Sequence, residues 1–415
     1  MFGSRSGNTP SSPRWAAPAL ALALAASLAA CGGGGGGGRH PVPTPAPPAE
    51  PAPPAALGPL YDFTELGLPG ISYGDVGRYG IVNGGLVAGT SYDAAGNPHA
   101  FLYNGKTNID LGSFSDSGGR AYAVNRCGQV AGWAFTKEGA AHAFFYDGSL
   151  KDLGTLGGTQ SFGYAITTCG KVAGWAATAN NEIHAFYRDS AGMRDLGTFG
   201  GNGSYAQGLN SLGQVVGYAY GPGNAWFHAF LYDARTGAPI QDLGTPGENS
   251  LAQDINEAGQ IVGYSRLGNG PLRAFRIDAG TLHELGVLPG GVGSEARAIN
   301  AGGQVVGYVY FSDNRRVAFL HDGTTLRNLG SLGGSNYSDA VAINAEGVIV
   351  GSSRDPASGA EHAVAWGTDY GPVDLNGRVK ELPAGVVLTA ALAVADDGAI
   401  VVRTSAGLGL LRPRK

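Results

Sequence analysis

"SYAQGLNSLGQVVGYAYGPGNAWFHAFLYDARTGAPIQDLG", Ser204 to Gly244, holds four short apolar or aromatic runs separated by Gly, Asn, Asp and Ser. The runs are Ser204 to Asn210, Gln214 to Tyr220, His228 to Asp233 and Pro239 to Gly244. None has the length or spacing of an amphipathic helix. Short β-branched and aromatic runs between turn formers predict strands, so this stretch reads as four strands, a to d, joined by tight turns.

The same landmarks recur along most of the chain. A Leu-Gly step falls at Leu66, Leu111, Leu153, Leu196, Leu243, Leu285 and Leu329, at spacings of 42 to 47 residues, and becomes Leu375-Asn376 in the last copy. An apolar pair ending in Gly recurs at Gly89, Gly132, Gly174, Gly217, Gly263, Gly307 and Gly351. Between them lies "HAF", at His99, His142, His184 and His228, with "RAF" at Arg273, "VAF" at Val317 and "HAV" at His362. Four strands every ~44 residues predict the blade of an all-β propeller.

The combination of "DLGTLGG" (Asp152 to Gly158), "INEAGQIVGYS" (Ile255 to Ser265) and "HAFLYD" (His228 to Asp233) resembles the HAF family of probable extracellular repeats, over nearly everything from Leu60 onward. The resemblance implies export and a repeat fold, and no assigned activity. Strands a and b recur eight times, and strand c does so when "GLGLLRP" (Gly407 to Pro413) is taken as its last copy. Strand d is one short at the C-terminal end, where "GPVDLN" (Gly371 to Asn376) is the last of its kind. The orphan "LYDFTELG", Leu60 to Gly67, supplies it. The expectation is a β-propeller of eight four-stranded blades over residues 59–415. Its N-terminal strand would pair with the last C-terminal blade and so cover two open sheet edges. A closed ring of this kind is expected to be monomeric.

Before the repeats, residues 1–30 carry Arg5 and Arg14, no acid, and the apolar stretch Trp15 to Ala30. This is the pattern of a secretory signal. It ends Leu28-Ala29-Ala30-Cys31, which resembles a bacterial lipobox and implies lipidation at Cys31; Gly32 after it implies an outer-membrane lipoprotein, periplasmic or at the cell surface. Residues 31–58 then run through seven glycines into a proline-rich stretch, a flexible tether with no capacity for a core.

Removing residues 1–30 leaves 25 Lys and Arg against 32 Asp and Glu, with no basic run. Nucleic-acid binding therefore has no electrostatic basis. The recurring Phe, from Phe101 to Phe319, is expected to fill the gaps between blades. The Gly of strand b is expected to admit a bulge or a close approach of neighbouring blades. The five His before Ala-Phe or Ala-Val would sit a blade apart, near the ~10 Å sheet spacing, too far for a shared metal, and are expected to make structural hydrogen bonds. No metal or cofactor is implied. An Asn ends strand a at Asn83, Asn125, Asn210, Asn256, Asn300 and Asn344, as an Asx turn would require. Cys127 and Cys169 hold equivalent places in adjacent a–b turns and are candidates for a disulfide, free thiols being the alternative.

Function would sit on the variable b–c connections. Trp226, Phe227, Tyr310, Phe311, Asp313, Arg315 and Arg316 are the candidate partner-contact residues. No catalytic residues stand out: there is no repeated Ser-x-Asp-x-Gly-x-x-Trp box, no tryptophan-docking motif and no Ser/His/acid grouping. The sequence therefore points to a lipid-anchored propeller that binds or scaffolds an envelope protein or glycan. The alternative is a carbohydrate-active or lactone-type hydrolase with its site at the channel mouth.

Overall fold

The computed structural model describes residues 61–68, 73–115, 117–244, 247, 249–266, 268–367 and 371–414. The expected signal sequence, Cys31 and the expected tether lie outside the described residues.

The repeat landmarks translate into antiparallel meanders. In the stretch quoted above, the strands are Ser204–Leu209, Gln214–Tyr220, Phe227–Asp233 and Gln241–Asp242. They pair in that order, antiparallel throughout. Among the described residues there are five four-stranded sheets, one five-stranded sheet and one eight-stranded sheet. The eight-stranded sheet is two meanders, 204–242 and 249–284, joined by a single parallel pairing of Phe227 with Asn249. In the five-stranded sheet, strand a is split into Tyr73–Asp75 and Ile81–Val82.

Strand a alternates buried and half-buried residues along "GRAYAV", Gly119–Val124, whereas strand b is buried along "VAGWA" within Val130–Phe135. Strand b is apolar on both faces because it lies between two strands and between two neighbouring meanders. The recurring Phe is the contact that joins those neighbours. Phe144 shares a core cluster with Ala100 of the preceding meander. Phe186 likewise meets Ala143, Phe230 meets Ala185, Phe275 meets Ala229 and Phe319 meets Ala274. The Ala of each "HAF" thus leaves room for the Phe of the next, and all six Phe are fully buried. Burying each ring contributes roughly 1.5–3 kcal/mol.

The strand-b glycines answer to a bulge within their own meander and not to the neighbouring one. Register slips by one residue between Ala206 and Gly208 on strand a, and at the matching place in the other regular meanders. The slip brings a strand-a carbonyl over the glycine, so that a Cβ on Gly217 would lie 1.9 Å from the Tyr205 oxygen. Gly263 and Gly307 face Leu251 and Glu295 in the same way.

The His positions staple strand c to strand d. Nδ1 of His184, His228 and His362 lies 2.9, 2.8 and 2.7 Å from a carboxylate oxygen of Asp195, Asp242 and Asp374. The same Asp accepts from the N–H of the Gly in "DLG", as Asp242 does from Gly244 at 2.9 Å.

The orphan strand Tyr61–Leu66 pairs antiparallel with Gly407–Pro413, from Tyr61 opposite Pro413 to Leu66 opposite Leu408. Leu66, Val87 and Phe101 share a core cluster with Val401, Leu408 and Leu410. Deleting Tyr61–Leu66 should therefore strip the pairing edge from Gly407–Pro413 and cost at least ~2 kcal/mol. Thermal unfolding and sedimentation are expected to show a lower midpoint and self-association. A monomer of unchanged midpoint would contradict this account.

Candidate functional site

The first strands of the meanders end around one common axis. Each closes on an aliphatic residue just before the Asn position: Val82, Val124, Ile166 and Leu209, then Ile255, Ile299, Ile343 and Val394. Together these form a collar, one residue from each meander, around a cavity of about 320 Å³.

The Asn residues fix this collar by more than a local turn. Asn256 Oδ1 accepts from the N–H groups of Ala258 and Gln260 at 3.1 and 3.0 Å, the expected Asx geometry. Its Nδ2 donates to the Asn300 carbonyl of the next meander at 3.0 Å. Asn125, Asn210, Asn300 and Asn344 reach in the same way to the carbonyls of Thr167, Asn256, Asn344 and Ala395. Between the last meander and the first, Asp397 takes over. Its carboxylate accepts from Gly84 N–H at 2.7 Å and its own N–H donates to Asn83 Oδ1 at 3.2 Å.

The floor of the cavity comes from the break in the first strand a. Residues 76–80, "VGRYG", leave the sheet there. Gly77 permits the departure, since a Cβ would fall 2.2 Å from the Tyr122 oxygen. Arg78 and Tyr79 then cross the axis to the fifth meander. Arg78 Nη1 donates to the Gln253 carbonyl at 2.6 Å and Nη2 to Gln253 Oε1 at 3.2 Å. The Tyr79 hydroxyl donates to Asp254 Oδ1 at 2.7 Å. Asp254, 7% exposed, also accepts from the N–H groups of Ile255 and Ile299.

Burial raises the Asp254 carboxyl above the usual carboxylate range, against the pull of Arg78 and the Tyr79 hydroxyl. Burial, with the Asp254 charge behind it, pushes the Tyr79 phenol well above its ordinary value. Tyr79 is thus held as a protonated donor, the opposite of what a nucleophile or general base at neutral pH needs. What the cavity offers is an aliphatic wall, a floor whose polar groups are already bonded, and a rim that includes Arg126, Thr168, Ser211 and Glu257. Such a concave site, with an aliphatic collar between polar groups, suits binding.

The fold is a β-propeller. No family model matches the sequence, and no curated protein matches it. Among solved structures, the chain is similar to the β-propeller domain of the Trilobed protease from Pyrococcus furiosus, with a TM-score of 0.49 at 11% identity over 74% of this chain and 98% of that one. It is similar also to TolB from Acinetobacter baumannii, with a TM-score of 0.39 at 14% identity over 80% and 76%. The BP39L lectin from Burkholderia pseudomallei gives 0.41 at 11% identity over 73% and 99%. At these scores none of them carries a partner or a reaction over to this chain.

The residues expected to contact a partner lie on two b–c loops, and most are tied into the fold. Phe227 starts a strand, and its ring lies 5.3 and 5.6 Å from those of Tyr218 and Tyr220. Trp226 folds over Gly221, with its ring 4.2 Å from that of His228. Tyr310 accepts through its hydroxyl from Leu272 N–H at 2.8 Å, and Phe311 is buried. Arg316 pairs with Asp339 at 3.1 Å and stacks 4.0 Å over Tyr308. Asp313 and Arg315, paired at 2.8 Å, reach furthest into solvent. Cys127 and Cys169 are free and exposed on adjacent turns that touch through Asn125 and the Thr167 carbonyl.

The crossing residues and the collar were missed by the sequence reading. Their signals were the aliphatic residue before each Asn position and the glycine-flanked "GRYG" that interrupts one strand a.

Two measurements check this site. Because the folded state raises the Asp254 carboxyl, its contribution to stability is full below about pH 4 and is lost as pH rises through the raised value. Asp254→Asn should flatten that loss in denaturation midpoints taken at about pH 4 and about pH 7; equal pH dependence in both proteins would contradict it. A maleimide should label both Cys127 and Cys169 in the folded, unreduced protein, whereas labelling only after reduction would reveal a bridge.

Proposed function

We propose that this chain is an exported, lipid-anchored propeller that binds or scaffolds a protein or glycan partner at the cell envelope. In this reading the ring has eight four-stranded blades and is closed where Tyr61–Leu66 completes the last blade. Its repeat resembles the HAF family of probable extracellular repeats, and that resemblance supports export. Lipid on Cys31 would hold it to the outer membrane through the Gly- and Pro-rich tether.

The observation that carries a binding role is the crossing of the axis by Arg78 and Tyr79. In a propeller the axis is where polar groups from many blades could converge on a substrate. Here they are spent on one another: the guanidinium is bonded to Gln253, and the phenol and carboxyl to each other. What remains for function is shape and surface, namely the axial cavity with its rim and the loop pair Asp313 and Arg315.

The test has two arms. Cys31→Ala should move the protein from the membrane fraction to the soluble fraction, and metabolic labelling with a fatty-acid analogue should be lost with it. Retention of both lipid and membrane association would overturn the anchor. The full chain, cross-linked in envelope preparations, should retain a stable partner without turning over generic glycoside, ester or lactone substrates. Turnover abolished by changes at the cavity rim would instead support the hydrolase.

A further inference from the structure

We propose that the Tyr205, Tyr218, Tyr220 and Tyr264 rings, with Phe162 and Phe227 beside them, form a binding site for a neutral glycan. The inference rests on the envelope-binding role proposed above and names which of its two partner classes this surface fits.

Strand register gathers the rings. Tyr205 lies opposite Tyr218 on strands a and b of the fourth meander, and Tyr220 lies opposite Phe227 on strands b and c. The Tyr205 and Tyr218 rings stack at 5.0 Å, and Tyr218 lies 5.3 Å from Phe227. From the third meander, Trp175 meets Tyr205 at 6.1 Å and stacks on Phe162 at 4.2 Å. Tyr264 holds in the fifth meander the place that Tyr218 holds in the fourth. The six proposed residues are half-buried and lie at the b–c end of their meanders, away from the collar.

A comparison between meanders separates this patch from ordinary packing. In the second and third, the strand-b ring donates from Nε1 to a strand-a tyrosine, Trp133 to Tyr122 and Trp175 to Tyr164, both at 3.2 Å. In the fourth and fifth, Tyr218 and Tyr264 replace the tryptophans, and Gln207 and Gln253 replace the strand-a tyrosines. Gln253 is already bonded to Arg78. The hydroxyls of Tyr205, Tyr218, Tyr220 and Tyr264 have no hydrogen-bond partner among the described residues. None of them is a buried orphan, so each meets solvent.

The chemistry of the patch selects its ligand. A phenol both donates and accepts, and its ring presents a flat apolar face. That pairing fits a sugar, which carries C–H groups on its faces and hydroxyls around its edge. No charged side chain stands among the rings to hold a carboxylate or sulfate. The charges that reach them, Glu295 against Arg266 and Arg297, act at the Tyr264 end. A protein partner would bury protruding apolar anchors. Among the described residues the large hydrophobics that stand exposed are Leu212 and Val387, and neither belongs to this patch.

The full chain, purified without glycoside detergent, is run through gels containing laminarin, dextran, glucomannan or alginate. At least one of the three neutral polysaccharides should retard it, and the acidic alginate should not. Tyr205→Phe with Tyr218→Phe keeps both rings, removes two hydroxyls and should weaken binding severalfold. Tyr218→Ala should weaken it by on the order of tenfold. Thermal melts monitor folding. In the unaltered protein, the bound polysaccharide should slow nitration of Tyr218 and Tyr220 by tetranitromethane, read by peptide mass, so the test does not depend on any variant folding. Retardation by none of the neutral polysaccharides, equal retardation by alginate, or unchanged nitration would overturn the site. A stable protein partner captured without any glycan retention would also overturn it while leaving the envelope-binding role standing; no partner of either kind would overturn both.

Discussion

The packing of each Phe into the space left by the Ala of the preceding "HAF" sets everything else in this molecule. A ring at that position is too large for a flat contact between two sheets and too small to hold them apart, so it sets both their separation and their rotation. Repeated with little variation, it turns a string of meanders about one axis. The bulge over the strand-b glycine belongs to the same constraint. It shifts the register of strand a by one residue, and only glycine tolerates a carbonyl 1.9 Å from where a Cβ would be. The collar residues and the Asn links lie at the end of strand a beyond that shift.

The axis shows how a regular scaffold acquires an individual site. Among the described residues one first strand is broken where the others are continuous, and the break sends two side chains across the axis to the fifth meander. The crossing puts two polar side chains into the wall of the axial cavity. It also joins the first and fifth meanders directly, by bonds that neighbouring meanders do not need. A buried carboxyl bonded to a phenol and two backbone N–H groups is costly to form, and it persists because every one of its partners is supplied. The polar chemistry at the centre is therefore structural, while the rim and wall remain free to contact something else.

The meanders were legible because their signals are local. Strand runs bounded by turn formers, the "HAF" and "DLG" landmarks and the missing last strand d each follow from a few adjacent residues. The pairing of Tyr61–Leu66 with Gly407–Pro413 was legible as well, since a count of strands left the first strand without a meander and the last meander without a strand d. The b–c loops were harder. Trp226, Phe227, Tyr310 and Phe311 read as partner contacts because they sit in variable connections. Large rings beside an apolar neighbour fold back onto it, and that neighbour is not visible in the loop's own sequence.

By itself the sequence determined the strands, their grouping in fours and the residue types at each level: Phe for the gaps, Gly for a bulge or a close approach, Asn for the turn, His for a structural hydrogen bond. These are period and turn chemistry, which a chain carries within ~10 residues of each position. Only the tertiary structure decided that Asn256 also binds the next meander, that the aliphatic residues before each Asn form one wall, and that Arg78 and Tyr79 meet Gln253 and Asp254 at a separation of 175 residues. Those contacts depend on how many meanders surround the axis and how far apart its sides lie, distances set by packing of many meanders together that no short stretch of sequence contains.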